Sequence, residues 1–208
     1  METFEIKDTV ELIQDSLKNA MSYNEYRTLM DELASTGATT GPDQSDELIN
    51  YTMLNARRYK RWEKTLKMDE ASQDALDGQS LPDMTWLVLT ESWCGDAAHL
   101  MPVMKLLSER MENTEIKVLE RDKNLELMDC YLTSGSRSVP KLIAVDSNSG
   151  EPLFTYGPRP SVATQLVDEF KAEHGKLTAE FKEDLQRWYN KDKGQTAIKD
   201  LLEELDSL

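Results

Sequence analysis

The residue best placed to do chemistry is Cys94, in the stretch Thr90-Glu91-Ser92-Trp93-Cys94-Gly95-Asp96-Ala97. A Trp-Cys-Gly step that opens a helix sets a thiol against unpaired backbone N–H groups and the positive end of the helix dipole. Both favour thiolate, the nucleophilic form, so an ordinary thiol pKa of ~8.5 is expected to fall by one to several units. A two-cysteine redox cycle also needs a resolving cysteine after two intervening residues, and that position is Ala97. Asp96, in the first turn, has two roles open to it. It can cap the helix electrostatically, worth about 0.3–1 kcal/mol, or relay protons to Cys94 or a leaving thiol. Its charge would also disfavour the thiolate. Capping is the expected role.

Three further residues invite a chemical reading. His99 lies five positions past Cys94, on another side of the same helix, and reads as a structural or surface histidine. Arg159 reads as a surface salt bridge, with anion binding as the alternative. A disulfide needs Cα atoms within about 7 Å, and Cys130 lies in a segment expected to sit away from the tip of the Cys94 helix. It reads as a buried small apolar side chain.

The elements that must position these residues begin with helices. Ser22-Tyr-Asn-Glu25 has the form of a capping box, with Met21 and Tyr26 placed for a hydrophobic staple. That helix runs out near Gly37, and Gly37 to Ser45 is a breaker-rich loop. In the next helix Tyr59, Trp62 and Leu66 recur at helical spacing and should face the core. From residue 84 the character changes. Met84 to Thr90 is a continuous apolar run, as in a strand buried on both faces. A helix from about Cys94 to Met111 follows, then a strand (Ile116 to Asp122), a short helix (Asn124 to Leu132), a Ser-rich turn (Ser134 to Pro140) and a strand (Lys141 to Val145). A hairpin turn leads into a returning strand, Pro152 to Gly157, and helix resumes from Pro160 to His174. The order β-α-β-α-β-β-α predicts parallel pairing within strand-helix-strand units and an antiparallel terminal hairpin. Two stripes close the chain: Leu177, Phe181, Leu185 and Trp188, then Ile198, Leu201, Leu202 and Leu205.

Composition narrows the function. The 208 residues carry 39 acids against 24 bases, a net charge of -15. Nucleic acid, which binds clustered Lys and Arg, is not an expected partner. The basic cluster Ala56 to Lys64 reads as a solvated helix face paired with neighbouring acids. No apolar run reaches the ~18 residues of a membrane span, and the N-terminal Met1 to Val10 lacks a secretory apolar stretch. A cytoplasmic location with two reduced cysteines is the expectation. Two histidines, no C-x-x-C pair and no H-E-x-x-H give a transition metal little to bind, and no cofactor is implied.

In order and spacing the region from about 81 to 175 resembles the thioredoxin superfamily. The buried strand leads into Trp93-Cys94-Gly95, Pro102 follows eight residues after the cysteine, Asp122 ends the next strand, and Val139-Pro140 stands where the superfamily places its cis-proline. Cys-Gly-Asp-Ala and the tail from Trp188 to Leu205 are similar to bacterial cytoplasmic thioredoxin-like proteins with helical extensions. The resemblance implies an α/β three-layer sandwich with a mixed sheet of about four strands, a helical extension over 1–80, a core over 81–175 and a second extension over 176–208, together one compact unit. It also implies that Trp93, Gly95, Val139 and Pro140 line a substrate surface beside Cys94, where an extended peptide or thiol cofactor could pair with the Val139 backbone. Two features depart from the superfamily besides Ala97. Its buried carboxylate corresponds to Val88, and that carboxylate's lysine partner to Val118. The expectation is a monothiol redox protein in which Cys94 and Asp96 act on a protein disulfide or low-molecular-weight thiol, and an external thiol resolves the mixed disulfide. The alternative is a non-catalytic binding module. Oligomeric state is not legible.

Overall fold

The protein, seen in a computed structural model, is described over residues 8–208; the first seven residues of the N-terminal stretch lie outside the described residues. The continuous apolar run becomes the centre of the sheet. Strand β2 (Met84–Thr90) is buried along its whole length, so the sheet is covered on both faces. It pairs parallel with β3 (Thr114–Glu120) and antiparallel with β4 (Lys141–Asp146), which pairs antiparallel with β5 (Pro152–Tyr156).

Two expectations about the sheet need correction. The β4 strand runs antiparallel to β2, not parallel, because the short helix α6 (Leu125–Cys130) and the loop after it return the chain in the opposite sense on the far side of β2. The sheet also has five strands rather than about four, in the order β1-β3-β2-β4-β5. The extra strand, β1, is only Met21–Ser22, paired antiparallel with Val118 and Lys117 of β3. Its residues also serve the helix that follows, α2 (Tyr23–Thr36). Ser22 Oγ accepts from Glu25 N at 3.3 Å while Ser22 N donates to Glu25 Oε2 at 2.7 Å, the expected capping box. Two residues cannot display a period-two pattern, so β1 leaves no sequence signal.

Helix α1 (Thr9–Leu17) lies beside α6. Helix α3 (Asp46–Thr65) buries Tyr59 and Trp62 as its spacing predicts, and lies against α5 (Ala97–Ser108). Further on come α4 (Glu70–Asp77), α7 (Ser161–His174), α8 (Ala179–Asp192) and α9 (Gln195–Asp206). The stripe on α9 joins the main core through Ile198, Leu201, Leu202 and Leu205. The stripe of Leu177, Phe181, Leu185 and Trp188 instead closes a small second core with Ala163 and Val167 of α7. Asp122 lies just past β3, in a 3-10 turn from Arg121 to Lys123. Among the described residues no helix is long and apolar enough to cross a membrane.

Candidate functional site at Cys94

The Cys94 loop is held from below by hydroxyls. Ser92 Oγ lies 2.8 Å from Thr52 Oγ1 and 3.1 Å from Thr39 Oγ1, and accepts from Thr40 N at 3.1 Å. Ser92 N donates to Thr40 Oγ1 at 2.8 Å, and the Ser92 carbonyl accepts from Asn55 Nδ2 at 3.0 Å. All five residues are buried. A buried network this well satisfied fixes one geometry, because losing any partner leaves a desolvated polar group. It ties the loop after α2, the body of α3 and the Cys94 turn into one unit.

Cys94 itself precedes the helix: α5 starts at Ala97, not at residue 94. The sulfur still reaches the helix end, accepting from Ala97 N at 3.5 Å, and the thiol donates to the Val139 carbonyl at 3.1 Å. The Val139–Pro140 peptide is cis, as the resemblance implied. The expectation of a lowered thiol pKa is overturned. Burial first, and the Asp96 charge after it, push the Cys94 thiol up to about 12, outweighing the backbone N–H groups of Ala97 and Asp96 and the Arg159 charge. The dipole argument holds for a thiol facing water, and this one is 7% exposed.

Asp96 is the N-cap residue by position, yet its side chain makes no capping bond. It pairs with Arg159 Nη2 at 2.8 Å and accepts from Tyr189 Oη at 2.8 Å. The capping role is therefore replaced by a shielded ion pair, and Arg159 is not the surface salt bridge expected of it. Burial lifts the Asp96 carboxyl above its usual range, against the lowering pull of Arg159 and Tyr189. His99 takes the structural reading. It stacks on Tyr189 with ring centroids 4.2 Å apart, meets Trp62 edge-on, and its Nε2 lies 2.8 Å from Gln186 Oε1. Burial depresses it to about 3, so it is neutral near pH 7.

Val88 and Val118 are both fully buried and stand opposite each other across β2 and β3, an apolar contact in place of a proton relay. One carboxylate is buried nearby that the sequence reading passed over: Glu91, whose Oε1 accepts from Asp122 N at 2.8 Å. Burial raises its pKa. Cys130 is exposed rather than buried, its thiol directed to the Glu126 carbonyl at 3.6 Å, and both cysteines are free.

Above Cys94 lies a groove of about 940 Å³ whose walls include Trp93, Gly95, Asp96 and Val139. Trp93 is covered by the Arg121 guanidinium 5.1 Å from its ring. Of the residues assigned to the site from sequence, the cis peptide thus unites Cys94 and Val139, and Pro140 is buried behind them. The sequence reading missed the far wall: Tyr51 and Arg58 from α3, and Gln186 from α8. It also missed a second cis peptide, Gly157–Pro158, beside the first. Gly157 has φ +104°, and a Cβ there would sit 2.3 Å from the Pro140 carbonyl oxygen, so only glycine fits.

A five-stranded mixed sheet with a cysteine turn facing a cis-proline loop defines a thioredoxin-like protein. The chain belongs to the thioredoxin family, whose family model it matches over residues 41–171. Among solved structures, a protein of unknown function from Pseudomonas aeruginosa is similar at 14% identity and a TM-score of 0.63, covering 100% of this chain and 99% of that one. An HIV epitope-scaffold is similar at 16% identity and a TM-score of 0.54, covering 90% and 99%. At such identities the likeness is one of fold. No curated protein matches the chain.

Proposed function

We propose that the protein is a binding module on a thioredoxin fold, with its ligand in the groove over Cys94 and the Cys94 thiol kept protonated in the groove wall. The observation that carries this reading is the buried thiol donating to the Val139 carbonyl, with its pKa pushed up to about 12. At pH 7 such a thiol is ionised about once in 10⁵, against a few per cent for an ordinary cysteine. The greater nucleophilicity of a more basic thiolate, with a Brønsted slope of about 0.4–0.5, recovers only part of that loss. A net deficit of about 10²-fold remains before steric shielding is counted.

A second reading, monothiol exchange in a reducing cytoplasm, is favoured by one specific observation: Cys94 lines the groove with the Ala97 N–H at its sulfur. In that reaction Cys94 gives up its proton and attacks one sulfur of a protein or small-molecule disulfide. The old S–S bond breaks, and the departing thiolate takes a proton. An external thiol then attacks the Cys94 sulfur of the mixed disulfide and releases the second substrate thiol, and a second external thiol attacks the resulting Cys94 adduct and returns the Cys94 thiol. The two external thiols end as a disulfide, and two electrons have passed to the original one.

Alkylation by iodoacetamide across pH separates the two, run in a Cys130→Ser background because Cys130 is exposed. The binding-module reading expects alkylation slow at neutral pH and still rising above pH ~10. Fast alkylation at pH 7, with a trapped mixed disulfide by mass spectrometry, would establish monothiol exchange instead.

A further inference from the structure

We propose that the groove takes a small amphipathic oxyanion, its carboxylate or phosphate head over Gly95 between Arg58 and Gln186, and its apolar body against Leu48, Tyr51 and Leu54. This rests on the binding-module reading and names its ligand class.

The head position follows from how the groove's charges are already committed. Its cations are Arg58, Arg121, Arg137, Arg159 and Lys182. Arg121 is held by Asp122, Arg137 by Asp129 and Arg159 by Asp96. Arg58 and Lys182 have no carboxylate within ion-pair distance among the described residues. Arg58 Nη1 donates only to Asn55 Oδ1, at 2.9 Å, and Asn55 is anchored to the Cys94 turn. Burial, then the neighbouring Arg61, lowers the Arg58 pKa, as happens when a cation is desolvated without a counter-charge. The groove's acids are Glu47, Asp96 and Glu183, of which Asp96 is neutralised by Arg159 and Glu183 lies 3.5 Å from Arg187.

Gln186 is oriented by its partner. With His99 neutral and its Nδ1 unpartnered, the ring proton sits on Nε2 and Gln186 Oε1 accepts it. The amide NH₂ of Gln186 then faces the other way. A Cβ on Gly95 would lie 3.7 Å from both Gln186 Nε2 and Arg58 Nη1, so two donors flank one open spot beside the cysteine. Charge-assisted bonds from such a pair select an oxyanion over a neutral group of the same shape. The adjoining wall is apolar, with Leu54 40% exposed. A volume of about 940 Å³ is within the range of small-molecule sites, ~300–1,000 Å³.

The test is a titration of the ¹⁵N-labelled full chain with octanoate, octyl phosphate and the uncharged octanamide, following the Gly95 backbone amide and the Gln186 side-chain amide. Saturable shifts at both groups are expected for the anions, at about tenfold or more higher affinity than octanamide, since one charged hydrogen bond is worth ~1.5–3 kcal/mol. The tighter of the two anions identifies the head group. Arg58→Gln should weaken the anion about tenfold, Arg58→Lys less, and Cys130→Ser, which lies outside the groove, not at all. Equal affinity for octanamide, or an unchanged Arg58→Gln, would overturn the oxyanion assignment while leaving the groove a binding site. A reactive Cys94 in the alkylation assay overturns the parent reading without touching these amides, so the two failures are distinguishable.

Discussion

His99 makes the stability of this protein depend on pH in a way that can be computed in advance. It is 6% exposed, stacked on Tyr189, and held to about 3 by burial first, with Arg58 and Arg61 adding repulsion. In the unfolded chain a histidine titrates near 6.5, so below that pH the unfolded state binds a proton the native state refuses. The sign is fixed: this contribution is fully present above about pH 6.5 and is lost as pH falls towards 3. One pKa unit is 1.36 kcal/mol, so the whole window is worth about 4–5 kcal/mol, and about 2 kcal/mol of it is gone between pH 7 and pH 5. Glu91 and Asp96 work in the opposite sense, because burial raises both and their protonation on acidification favours the native state. The measurement must therefore be a difference. Urea unfolding of the full chain at pH 7 and pH 5 is compared with His99→Phe, which keeps the ring against Tyr189 and Trp62 but cannot titrate. The variant should lose a pH-independent increment from the bond to Gln186, about 1–3 kcal/mol. Its pH-dependent loss should be smaller than that of the unaltered protein by about 2 kcal/mol. Equal slopes for the two proteins would refute the reasoning, as would an NMR titration placing the His99 ring near 6.5.

Two further substitutions probe the site. Gly157→Ala places a methyl group 2.3 Å from the Pro140 carbonyl oxygen at φ +104°, a backbone contact that cannot yield like a side chain; a loss of at least about 2 kcal/mol is expected by urea unfolding. Asp96→Asn removes the charge but keeps a side chain of the same shape facing Arg159 and Tyr189; because burial holds the Asp96 carboxyl above its usual range, urea unfolding at pH 7 should show no loss of stability from this neutralisation. In the same variant the repulsion on the Cys94 sulfur is gone, so the pH profile of its alkylation should move down rather than up.

The parts of this architecture that local sequence reveals are those set by local chemistry. Met84 to Thr90 must lie between two apolar layers, and Ser22 with Glu25 completes a cap within one turn. The parts that stayed hidden depend on distance along the chain. Tyr189 meets Asp96 across 93 residues, and His99 meets Gln186 across 87, neither contact carrying any periodicity. The basic run Ala56 to Lys64 suggests a solvated face paired with acids, yet among the described residues none of its cations lies within ion-pair distance of a carboxylate, and Arg58 is the member that lines the groove. Likewise β4 reverses because of the route its connection takes, which the alternation of strand and helix does not encode.

The misreading of Cys94 has the same origin and carries the larger lesson. A cysteine at a helix end was expected to ionise readily because the dipole and free N–H groups are properties of the motif. Desolvation is a property of what is packed on the motif. Here Asn55 and Arg58 from α3 and Tyr189 and Gln186 from α8, all outside the strands of the sheet, build up the surroundings of the Cys94 turn. They shield Asp96 in its pair with Arg159 and place its charge beside a sulfur already short of solvent. The same Trp-Cys-Gly turn facing water would gain the dipole's effect unopposed. The flanking helices, more than the missing second cysteine, therefore decide whether this thiol attacks or waits.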